Sequence, residues 1–177
     1  DTPSGIYAEG DLTVRLEGSS SISIADKDAV GIAASGSLTF AGGGSLTVAG
    51  IGCGLLSDSG DIALGEGSFS ISDCSVAMAA WSGVIHLNTA NLAAEAAGRV
   101  FGADVVYQAD GSVLSSAQLD AVALTVTDGI AEAVENPLTS LEMDSVDLLA
   151  NPGALADRGI SFDPATGTLT LKNAQIT

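Results

Sequence analysis

Positive charge is the scarcest commodity in this chain. Five Lys and Arg stand against 22 Asp and Glu in 177 residues, for a formal net charge of −17. A surface that acidic repels phosphate backbones and anionic bilayers alike, which excludes nucleic acid as an expected partner. Aromatics are also rare, at 4% against 46% hydrophobic residues. The apolar positions therefore hold small aliphatic side chains, and with 22 glycines they suit short strands joined by tight turns. No apolar run approaches the roughly 20 residues of a membrane-spanning helix, so membrane insertion is not expected. A single histidine and two cysteines leave little for nucleophilic or metal chemistry, and two cysteines do not fix a redox compartment. No signal peptide is visible, and the sequence opens inside a strand pattern at Asp1-Thr2-Pro3. The expectation is one domain over 1–177, excised from a longer surface protein.

What the chain does contain is one sentence written repeatedly, clearest in GSFSISDCSVAM at 67–78. Two apolar residues alternate with small polar ones. Two positions later comes a residue that tolerates a left-handed backbone: Asp26, Gly50, Asp73, Asp128 and Asn173. Copies begin at GIYAEGDLTV, GIAASGSLTF, GLLSDSGDIAL and AMAAWSGVIHL. From Ile22 the reading steps to Leu46, Phe69 and Leu92, by 24, 23 and 23 residues. A period of this length is the mark of a solenoid, whose units are too small to bury an apolar face except by stacking.

Stacking predicts inward columns. One is Leu12, Leu38, Ile62 and Ile85; a second is Val14, Phe40, Leu64 and Leu87; a third is Ile24, Val48, Ile71 and Ala94, with Phe69 two residues before Ile71. Thr13, Thr39 and Ala63 face out. Short strands, three to a turn, with Gly or Asx corners predict an all-β fold: a right-handed parallel β-helix of about seven turns. Residues 99–160 break the pattern and are expected to form irregular loops with one short helix; Asn136-Pro137 offers a turn or a helix start. The final LTLKNAQIT would run naturally into the first repeat, so 168–172 is expected either to pair with 11–14 or 21–24 or to leave an open edge.

Along GIYAEGDLTVRLEGSSSISI and GISFDPATGTLTLKNAQI the chain resembles bacterial cell-surface parallel β-helix repeat proteins of carbohydrate-binding or adhesin-like character. The resemblance implies an extracellular or cell-wall-attached location and a polysaccharide or host-surface glycan as partner. It supplies no catalytic residue. Pectate lyases share the coil, but no charged cluster here matches a lyase site.

The candidate side chains are few. Trp81 aligns with Asp58 in a corner loop, where an exposed indole on a rigid coil can stack on a sugar ring. Tyr7 and Tyr107 are weaker candidates for the same role. His86, between Ile85 and Leu87, is expected on the outer surface, and no nucleophile elbow accompanies it. Cys53 and Cys74 fall one turn apart and two residues out of register, at a Cα separation of about 8 Å, which favours two reduced thiols over a disulfide. Acidic pairs occur at Asp26 and Asp28, Asp58 and Asp61, Asp104 and Asp110, and Asp144 and Asp147. None has EF-hand spacing, so no cofactor is expected, with a weak calcium site at Asp58 and Asp61 the sharper alternative. The function expected is a non-catalytic surface module, adhesin-like or glycan-binding. A lyase or hydrolase on the same coil, or a purely structural spacer, are the alternatives.

Overall fold

The computed structural model describes residues 3–132, 142–143, 146–148, 150–151, 153–163 and 168–172. The chain divides into two compact units, Asp1–Val134 and Glu135–Thr177, and the coil lies in the first.

That coil is a β-solenoid of about five turns. Each turn contributes one strand to each of two parallel sheets. The turns are β1 (Ser4–Ala8) with β2 (Leu12–Arg15), β3 (Ser19–Ala34) with β4 (Leu38–Ala41), and β5 (Ser45–Ser57) with β6 (Ile62–Leu64). They continue as β7 (Ser68–Ala80) with β8 (Ile85–His86), and β9 (Asn91–Gly102) with β10 (Val106–Tyr107). Odd strands stack on odd and even on even. The long odd strands turn a corner partway along. Gly50 and Asp73 take φ of 77° and 52° there, which the missing Cβ of one and the short polar side chain of the other permit.

The predicted columns form the core. Leu12, Leu38, Ile62, Ile85 and Val106 lie in register, and all but Leu12 are fully buried. Leu12 and Val14 are only half-buried, because β2 has a neighbour on one side alone. Phe40, Leu64, Leu87, Phe69 and Ile71 are buried as expected.

Three expectations are corrected. Ile22 pairs with Val48, and Ser20 with Leu46, so the third column is Ile22, Val48, Ile71 and Ala94. Sliding a strand by two residues leaves its inward set facing inward, so alternation cannot choose between Ile22 and Ile24. The excess length is absorbed where six residues, 24–29, run alongside three, 50–52, in a bulged stretch. Asp26 lies in that bulge, outside the left-handed region, with its carboxylate accepting the Asp28 N–H at 3.0 Å.

Second, residues 99–107 are regular: they finish β9 and supply β10. The one short helix expected within 99–160 is present: α1 (Ser116–Leu119), the only α-helix among the described residues, is held by a capping box between Ser115 and Gln118. Asn136-Pro137, expected as a turn or a helix start, lies outside the described residues.

Third, the later copies of the repeat, ALTVTDG at 123–129, SLEMDSVDL at 140–148 and TLTLKNAQI at 168–176, have their described strands in antiparallel pairs, and the described residues make about five turns of coil where seven are expected. β11 (Ala123–Thr127) runs antiparallel to β9, then turns through Asp128-Gly129 into β12 (Ile130–Ala131). Leu114, Leu124 and Val126 from this segment are buried in the same core as the coil. In the second unit β13 (Glu142–Met143) pairs with β14 (Val146–Asp147). There too β15 (Ile160–Asp163) pairs with β16 (Thr168–Leu171), so Leu169 faces Phe162 and the strand of the final repeat is bound locally.

Candidate functional site: an aromatic groove on the flank of the coil

The register that stacks the core also builds one outer flank. Tyr7, Ala33, Leu56, Ala79 and Gly102 form a single column across the five turns. Beside it, the Trp81 N–H donates to Ser57 O and the Asp58 N–H to Ala34 O, each at 3.1 Å. Trp81 therefore stacks on Asp58, as the sequence alignment anticipated. The support is rigid. Ser57 is fully buried, with its hydroxyl 2.7 Å from both Gly36 O and Gly60 O and accepting the Gly60 N–H at 3.1 Å.

Tyr7 and Trp81 line one groove of about 520 Å³, together with Glu9, Ala33, Leu56 and Asp58. Trp81 is 71% exposed and Tyr7 58%. Three strand spacings separate their turns, about 14 Å along the coil. Ala33 and Leu56 keep the floor between them low and apolar, while Glu9 and Asp58 supply hydrogen-bond acceptors. The groove thus has two aromatic faces, an apolar floor and a carboxylate rim.

The third aromatic candidate is elsewhere. Tyr107 stacks on His86, with centroids 5.2 Å apart and planes at 12°. His86 Nε2 lies 4.0 Å from Asp61 Oδ2, and Asp61 Oδ1 accepts the Val84 N–H at 2.9 Å. One face of the Tyr107 ring is therefore covered, and the residue takes no part in the Trp81 groove.

Asp58 and Asp61 do different work. Asp58 rims the Tyr7 groove, and Asp61 ties β8 to the preceding turn. Asp28 is paired with Lys27 at 3.0 Å. Asp110 is a turn residue, held below the usual carboxylate range by hydrogen bonds from the Ser112 hydroxyl and N–H. Asp144 lies outside the described residues. Among the described residues no three His, Cys, Asp or Glu side chains gather as a metal would need.

Both cysteines are free, and their register is as expected: Cys74 pairs with Ile51 and Cys53 with Val76. Burial, with Cys74 alongside, pushes the Cys53 thiol up to about 12. Burial and the neighbouring Asp73 carboxylate also raise Cys74. Both are thiols at neutral pH, packed as small apolar groups.

Arg99 is not among the candidate residues that the sequence singles out. It pairs with Val76 on the coil's last long strand and lines a second groove on the far side of Trp81. Its spacing is regular, 23 residues after Val76, but one residue fewer separates Ala94 from Ala96 than separates Ile71 from Cys74, and that local shift breaks the alternation from residue 95 onward.

No protein family, curated protein or solved structure matches this chain.

Proposed function

We propose that this chain is a non-catalytic surface module that binds a glycan along the outer flank of its coil. The observation that carries the reading is the pairing of Trp81 and Tyr7, both well exposed, in one groove over an apolar floor. In a chain with a single tryptophan, leaving that indole in water forgoes a large burial energy unless a ligand covers it. Sugar rings present an apolar C–H face to the indole and hydroxyls to the rim carboxylates. The rigid coil holds both aromatics in place, so little conformational entropy is lost on binding.

In this reading the solenoid is right-handed, as parallel crossovers almost always are. The module sits extracellularly or on a cell wall, where a strongly acidic surface resists non-specific association. Its partner is a polysaccharide or a host-surface glycan, and its binding requires no cofactor; calcium is the cation its acidic rim would draw.

A glycan array probed with the purified chain, alongside Trp81→Ala, tests the proposal. The expected outcome is a discrete set of bound glycans whose signal falls tenfold or more in the variant, a loss of about 1.4 kcal/mol. An empty array, or an unchanged pattern with Trp81→Ala, favours the structural spacer instead. Turnover of a bound polysaccharide would move the reading to a lyase or hydrolase.

A further inference from the structure

Trp81 faces two grooves. On one side lie Tyr7 and Asp58; on the other, a groove of about 590 Å³ is lined by Asp61, Ser82, Arg99, Gly102 and Asp104. The second groove exists because the flank column ends in glycine: after Tyr7, Ala33, Leu56 and Ala79, Gly102 contributes no side chain. A Cβ there would stand 3.1 Å from that of Ala79 and begin to fill the floor.

Arg99 is the anomaly of this surface. In the coil's unit the other two cations are occupied, Arg15 with Glu17 at 2.9 Å and Lys27 with Asp28 at 3.0 Å. Arg99 is exposed and has no ion pair among the described residues, in a chain of net charge −17. Acidic partners are abundant nearby. Asp61 is already engaged by the Val84 N–H and lies beside His86, and Asp104 lines the same groove without an ion pair. A guanidinium presents a planar fork of donors suited to a carboxylate.

We propose that the saccharide bound at Trp81 carries a carboxylate, and that Arg99 reads it. This rests on the glycan reading above and names its substrate class: an acidic sugar, such as a uronic acid residue, stacked on the indole with its carboxylate towards Arg99 and a hydroxyl towards Asp104. Long-range repulsion from the acidic surface does not forbid this. At physiological salt, exposed charges beyond about 8 Å are largely screened, whereas a direct bidentate contact is not.

The experiment uses the chain's sole tryptophan as its own reporter. Trp81 emission is titrated with cellotetraose and with its C6-oxidised counterpart, a tetramer of β-1,4-linked glucuronic acid that differs only in its carboxylates. The wild-type chain is expected to bind the uronate about tenfold more tightly or better, as a charged hydrogen bond allows. Arg99→Gln is expected to bring the two affinities together, with the melting temperature unchanged since Arg99 is exposed. Equal binding of both saccharides by the wild type, or a uronate preference that survives Arg99→Gln, overturns the carboxylate assignment and leaves the glycan reading standing. No response of Trp81 to either saccharide overturns both.

Discussion

Phe40 and Phe69 meet edge to face inside the coil, their centroids 5.3 Å apart and their planes at 83°. One comes from the even-strand sheet and the other from the odd, so this contact ties the two sheets across the core. Both rings are almost fully buried, in a core otherwise made mostly of Ala, Val, Leu and Ile, with Phe101 and Met78. Phe69→Ala removes the ring and leaves a cavity in a wall of stiff strands that cannot collapse into it. The expected loss is about 3–5 kcal/mol, read as a drop in the urea midpoint at unchanged slope.

Neighbouring residues on one strand offer a sharper test of the stacking. Leu38 is fully buried between Leu12 and Ile62, while Thr39 points the other way, between Thr13 and Ala63. Leu38→Asp places an unpaired charge in a dry column and is expected to prevent folding outright. Thr39→Asp faces water and is expected to shift stability by no more than about 0.5 kcal/mol. Thermal melts of the two variants that coincide would refute the register.

These contrasts show which physics was legible in the sequence. Inward and outward faces were legible, because alternation of period two depends only on local chemistry. Hence Leu38, Phe40, Ile62 and Ile85 were placed correctly. The absolute register of Ile22 was not, since a slip by two residues preserves every face. Strand direction was also hidden: LTVTDG satisfies the same alternation whether it stacks parallel or folds back. Its Asp-Gly did hold the clue, for two consecutive left-handed residues make the tight turn of a hairpin. The Tyr7–Trp81 groove joins residues 74 positions apart, and only the summed register of four turns brings them to one face.

Gly129 sits at that hairpin turn with φ of 78°, after Asp128 at 49°. A Cβ at this position would also collide with the carbonyl oxygen of Asn88. Gly10 offers a matched control: its φ is 98°, but no atom lies within 4 Å of where a Cβ would be. Gly10→Ala is expected to cost about 1–2 kcal/mol, the strain of a left-handed residue alone. Gly129→Ala adds a backbone clash and is expected to cost clearly more, lifting β11 and β12 off the end of the coil. Hydrogen exchange should then show lost protection at Thr125 and Val126, with the first turns unaffected.

Cys53 ties stability to alkaline pH. Its thiol rises from 9.0 to about 12 in the folded chain, chiefly through burial. The folded state therefore prefers the protonated form more strongly than the unfolded state does. The sign follows: this contribution is complete below pH 9 and is lost as pH climbs from 9 towards 12. Three pH units bound the effect at about 4 kcal/mol, less whatever relaxation admits water to the sulfur. Cys53→Ala cannot ionise and has no such loss. Urea midpoints of the wild type and the variant should keep a constant difference from pH 6 to 8.5, then shift in favour of the variant above pH 9. A difference that stays constant up to pH 11 would mean that Cys53 ionises as freely in the coil as in the unfolded chain. Its place between Ile51 and Leu55, with Sγ donating to Leu55 O at 3.4 Å, would then have to be wrong.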